Sequence, residues 1–154
     1  MMLRFEGPWK LGNLTDNPIS PFPDEMGNYL VSVPPDVYGA GRHGSSRFIY
    51  IGGMGSSDNA SLSKRLGEFI AATFGFMTYH SGGKCFFAER HNHGINPWHL
   101  EFWWCCYDDP KCCEVQLFDE YTHDFGSLPL LNKQRQWTGC QAKLHSMALH
   151  VPWR

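Results

Sequence analysis

The sequence predicts an α+β fold in which a three-stranded, mainly antiparallel sheet is flanked by helices. β-Branched and aromatic runs of strand length lie at Asn28 to Val33, Phe48 to Ile51 and Leu100 to Tyr107. The first two, joined by a long loop, read as a hairpin. Two further stretches repeat apolar residues at helical spacing between recognisable start and stop signals. At 154 residues, 42% apolar and 15% aromatic, the chain has material for one core, while 16 Gly and 10 Pro place much of it in turns.

Residues 1–26 contain Pro8, Pro18, Pro21 and Pro23 and little periodicity, so they are expected to form an irregular amino-terminal arm. In the first strand Tyr29, Val31 and Val33 alternate with Leu30 and Ser32, and Pro34-Pro35 ends it. The loop from Pro34 to Arg47 is longer than most hairpin connections and carries Arg42, His43 and Arg47. The second strand ends at Gly52-Gly53. Asp58, Asn59 or Ser61 can cap a helix whose apolar face is Leu62, Leu66, Phe69, Ile70 and Thr73 and which should end near Gly75. The third strand places Leu100, Phe102, Trp104 and Cys106 on one face and Glu101, Trp103, Cys105 and Tyr107 on the other. Both faces are expected to be covered. Asp108-Asp109-Pro110 supplies a capping acid and a first-turn proline for the second helix, and Gly126 its stop. Residues 133–154 are expected to be a carboxy-terminal extension packed on the same domain.

The amino terminus carries Arg4 and Glu6 and no apolar stretch of signal-peptide length, and no window approaches the run that crosses a membrane. An intracellular, cytoplasmic protein without a membrane partner is the expectation. Four of the six cysteines form the doublets Cys105-Cys106 and Cys112-Cys113, and all are expected to be reduced. Together with His91, His93 and His99 they raise the alternative of a zinc-binding structural module, against which stands the absence of the usual spacing between paired zinc ligands. Lysine and arginine total 13 against 15 acidic residues, a formal charge of -2, so any attraction to a polyanion must come from a local patch.

One residue of the second helix breaks its pattern. Leu117, Phe118, Tyr121 and Phe125 make an apolar stripe, and at about 100° per residue Glu114 falls in its middle. A carboxylate turned toward a core must meet an arginine, accept several hydrogen bonds or bind a cation in a cleft. On the first helix Arg65 flanks the face formed by Leu62, Leu66 and Phe69, from which its guanidinium can reach over the sheet edge.

Taken in order, Gly27-Asn28-Tyr29-Leu30-Val31, Tyr50-Ile51-Gly52, Leu62-Ser63-Lys64-Arg65-Leu66, His80, Glu114-Val115-Gln116-Leu117 and Phe125-Gly126-Ser127-Leu128-Pro129-Leu130-Leu131-Asn132 form a recognisable set. That set resembles the GIY-YIG endonuclease family over residues 27–132. The 20 residues between Tyr29 and Tyr50 resemble the inserts of its restriction-enzyme-like branch. Asn28 stands where the family usually has Ile or Val, and Phe69 where that branch often places a histidine.

The resemblance implies a small GIY-YIG-like domain and a metal-dependent endonuclease that hydrolyses phosphodiester bonds of double-stranded DNA, with a homodimer as one assembly. It implies Glu114 as the only protein ligand of a Mg²⁺ or Mn²⁺ ion, which keeps its remaining waters. Tyr29 is implied to orient or deprotonate the attacking water, and Tyr50 to hold that water or the phosphate. A phenol titrates near ~10, so Tyr29 is a base only where a cation lowers its pKa. Arg65 is implied to stabilise transition-state charge, His80 to shuttle a proton or contact phosphate, and Asn132 to support the site. Arg42, Arg47, Lys84, Lys133 and Arg135 are placed by position as DNA contacts. The alternatives from other classes are a catalytically inactive domain that binds nucleic acid and the cysteine-rich zinc module.

Overall fold

A computed structural model describes residues 2–15, 21–37, 46–53, 61–76, 80–133 and 148–154. Among them the chain runs β1 (Met2–Arg4), β2 (Glu6–Lys10), β3 (Gly27–Ser32), β4 (Phe48–Gly53), α1 (Leu62–Thr73), α2 (Ser81–His93), β5 (Glu101–Cys106), α3 (Pro110–Phe125) and β6 (Ala148–His150). The fold is mixed α+β, but its main sheet has four strands rather than the expected three. The order is β2-β5-β3-β4, antiparallel throughout. The added strand comes from residues read as an irregular arm: β2 pairs with β5, Trp9 opposite Phe102. Pro8 hides it from sequence patterning, yet an edge strand tolerates a residue that cannot donate to the ladder. β1 and β6 form a separate parallel pair.

β3 lies between β4 and β5, and all six of its residues are buried. A strand covered on both faces has no polar side, which is why Asn28 and Ser32 are interior residues. Alternation sends Tyr29 and Val31, with their partners Gly52, Tyr50, Trp104 and Phe102, toward the layer built by α1 and α2. Leu30, Ile51 and Cys105 point the other way, onto Cys113, Leu117, Phe118 and Tyr121 of α3. The sheet therefore sits between two helical layers.

The predicted caps are in place. Ser61 accepts from the Lys64 amide at 3.1 Å at the start of α1, and Gly75 adopts φ 83° just past its end. Asp58 and Asn59 lie outside the described residues. Asp109 accepts from the Cys112 amide at 3.3 Å, Pro110 opens α3, and Gly126 closes it at φ 77°. α2 is likewise bounded by a capping side chain, His80, and by Gly94 at φ 65°, but it has no readable apolar stripe. Its buried residues are Gly82, Gly83 and Phe86, and glycines leave no apolar stripe to read. They serve close approach instead: a Cβ on Gly83 would stand 2.5 Å from that of Ala72 on α1.

Cys85, Cys105, Cys106 and Cys113 are free thiols. Cys112, half-buried on the side of α3 away from the core, is disulfide-bonded, which corrects the expectation that every cysteine is reduced. No helix among the described residues is long and apolar enough to cross a membrane.

Candidate functional site

Tyr29 and Tyr50 come together because β3 and β4 are antiparallel neighbours. The two rings lie on the same face with centroids 5.9 Å apart. Gly52, opposite Tyr29, makes room for this, since a Cβ there would stand 2.2 Å from the Tyr29 ring. On the other side, a Cβ on Gly82 of α2 would stand 2.5 Å from the ring of Tyr50. Glycines thus bracket both phenols.

His80 fixes the Tyr29 hydroxyl. It caps α2, its Nδ1 accepting from the Gly83 amide at 3.2 Å, and its Nε2 lies 2.8 Å from the Tyr29 hydroxyl. With Nδ1 an acceptor, the neutral ring carries its proton on Nε2 and donates it to the Tyr29 oxygen. The Tyr50 hydroxyl lies near those of Tyr29 and Ser81, and the two phenols shift each other's titration.

Glu114 approaches from the opposite layer. It is 4% exposed, on the sheet-facing side of α3 that the apolar stripe predicts. Gly53 at the end of β4 leaves it space: a Cβ there would meet Glu114 Oε2 at 2.8 Å and Asn28 Nδ2 at 2.9 Å. β4 is the sheet edge, so a phenol on one face and a carboxylate on the other can open onto common ground beside it. They do: Tyr50 and Glu114 both line a cavity of about 180 Å³, together with Ser81, Cys85, Leu131, Asn132 and Lys133. Tyr29 is fully buried behind Tyr50.

Burial, the neighbouring Tyr50 and Glu114 push the Tyr29 pKa well above its usual value, and Arg65 pulls against them. Tyr50 is pushed up to about 12, chiefly by burial and with help from Glu114, against Arg65 and the nearby hydroxyls of Tyr29 and Ser81. Burial and the Arg65 charge hold His80 down at about 3. All three are neutral near pH 7.

The remaining expected site residues fall into distinct settings. Arg65 acts on both tyrosines and His80 through its charge, and its Nη1 lies 3.2 Å from Glu68 Oε2. The Asn132 amide faces the free edge of β4, accepting from Ile51 N at 2.9 Å and donating to Ile51 O at 3.0 Å. Lys133 lines the cavity and pairs with Glu89 at 2.8 Å, and Lys84 is exposed on α2. Arg47 is turned inward, 3.0 Å from Glu101 Oε1 and 3.3 Å from Val33 O. Arg42 and Arg135 lie outside the described residues.

Ser81 and Cys85 also border the cavity, and sequence reading passes over both. The overlooked signal is His80-Ser81 followed by two glycines, a capping residue and a close-packing helix start. Among the described residues no group of three or more His, Cys, Asp or Glu side chains is placed to hold a metal ion. No protein-family model, curated protein or solved structure matches the chain.

Proposed function

We propose that the chain is a metal-dependent endonuclease of the GIY-YIG type that hydrolyses phosphodiester bonds in double-stranded DNA. One observation carries the reading: Tyr50 and Glu114, taken from separate elements of the ordered sequence set, line a single cavity. The donor chemistry fits Mg²⁺ or Mn²⁺. Among the described residues Glu114 is the cavity's one carboxylate, and about 180 Å³ accommodates an ion that keeps most of its waters. Glu114 would hold the ion, which when bound supplies Lewis-acid polarisation of the phosphate and stabilises the leaving oxygen.

The protein's own groups supply orientation and charge. Tyr50, a neutral phenol at the cavity wall, offers its proton to a phosphate oxygen or fixes the attacking water. This exchanges the roles first assigned to the tyrosines: Tyr50 meets the cavity, and Tyr29 holds it in place. Neither has the lowered pKa that a general base would need. Arg65 adds positive potential to the same cluster, where developing negative charge is stabilised. His80 holds the Tyr29 hydroxyl behind Tyr50. Asn132 shapes the cavity wall through the β4 backbone. Duplex DNA would approach over Lys133 and Lys84.

The test is a supercoiled-plasmid assay with Mg²⁺, with Mn²⁺ and with EDTA, using wild type and Glu114→Gln, followed by mapping of the cut ends. Nicking that requires the cation and falls by ~10³-fold or more in the variant supports the reading. Cleavage that survives Glu114→Gln, or none from folded wild type on any duplex, overturns it.

A further inference from the structure

Asn28 is fully buried on β3, on the face that α3 covers. The family resemblance accounts for Tyr29 beside it but not for an amide at this position, where an apolar side chain would satisfy the packing. Its Nδ2 donates to the carbonyl of Pro110 at 2.8 Å, and that carbonyl lies one helical turn before Glu114 on α3. Its Oδ1 is also buried and has no hydrogen-bond partner among the described residues. Buried amides are normally satisfied on both sides, so an oxygen left over beside a carboxylate marks a place where polarity serves the site rather than the fold. Gly53 completes the arrangement. The point where its Cβ would sit is 2.8 Å from Glu114 Oε2 and 2.9 Å from Asn28 Nδ2, so the carboxylate and the amide flank one glycine.

Resting on the functional reading above, we infer that Asn28 is a positioning residue for Glu114: its amide ties β3 to the turn of α3 that carries the carboxylate, and Gly53 keeps the space between them open. The sheet thereby sets where Glu114 points, independently of the apolar stripe that holds the rest of α3. Partners that orient a metal-binding carboxylate typically change metal affinity by ~10–100-fold when removed, although they never touch the ion. Gly53→Ala should act in the same direction without deleting any hydrogen bond, because the new methyl would have to displace the carboxylate or the amide.

The experiment uses the intact chain and two readouts on wild type, Asn28→Ala, Gly53→Ala and Glu114→Gln. Mn²⁺ is titrated calorimetrically, and the side-chain carboxyl resonance of Glu114, assigned by its absence in Glu114→Gln, is followed by carbon NMR without metal. The expected result is a shifted Glu114 resonance in both Asn28→Ala and Gly53→Ala, with Mn²⁺ affinity lower by ~10-fold or more in each folded variant. Should Asn28→Ala not fold, Gly53→Ala carries the test. An unmoved Glu114 resonance and unchanged Mn²⁺ affinity in a folded variant overturn the positioning role. If instead wild type binds no Mn²⁺ while the resonance still moves, the positioning role stands and the cation reading fails.

Discussion

Tyr50 stands with Ser81 at the cavity wall, whereas the Tyr29 ring is sealed between Gly52, Tyr50, Phe69 and His80. On the proposed function the two tyrosines therefore do different work. Tyr50→Phe should lower single-turnover cleavage by ~10²-fold or more with little change in folding, and Tyr29→Phe by only ~10-fold. A larger loss in Tyr29→Phe would reverse the assignment. His80 is testable through pH. Its folded pKa lies near 3, below the usual 6.5, so between those values the unfolded chain binds a proton that the folded chain does not. Its contribution is complete above about 6.5 and declines as pH falls toward 3. His80→Asn retains a capping side chain and removes this titration. Urea unfolding at about pH 7 and about pH 5 should show wild type losing more stability than the variant, and equal losses would contradict a buried neutral imidazole. Glu114 was legible at this scale because an acid in an apolar stripe violates burial chemistry. Ser81 and Cys85 were not, since a serine and a lone thiol violate nothing.

At the scale of elements, the outer edge of β4 decides how the cavity is built. Leu131 N donates to Ile49 O at 2.9 Å and the Asn132 amide makes a two-way pair with Ile51, so a loop takes the place of a fifth strand. Asn132→Ala removes both side-chain bonds and should cost about 2–3 kcal/mol, read by urea denaturation. A change below about 0.5 kcal/mol would show that the loop does not depend on this pair. α1 and α3 were readable because each has a period matched to one buried face and an explicit cap and stop, and β3, β4 and β5 because each is a β-branched or aromatic run of strand length with a stop after it. α2 hides its packing in glycines, and β2 is broken by Pro8. The missing stripe matters, because α2 supplies two cavity residues and the cap that holds Tyr29.

Across the whole molecule, the ends of the chain meet: β1 pairs in parallel with β6, and Trp153 packs on Phe48, Tyr121 and Phe125. Trp153 Nε1 and Arg154 Nε both donate to Asp124 Oδ2, at 2.9 and 2.8 Å, which pulls that carboxyl down to about 2. Strands of three residues are too short to show a period, so this closure left no trace in the sequence. Trp153→Ala should destabilise by about 2–4 kcal/mol while leaving cleavage per folded molecule unchanged, as measured by thermal unfolding beside the plasmid assay. Lost cleavage at full folding would tie the closure to the site instead. Every cleavage prediction above requires that a cation bind Glu114 within reach of the Tyr50 hydroxyl, and anomalous scattering from Mn²⁺-soaked crystals measures that directly. The expected result is a single strong peak bonded to Glu114 in the cavity that Tyr50 lines, absent from Glu114→Gln crystals; a Glu114 carboxylate that carries no ion at saturating Mn²⁺ would overturn the proposed function.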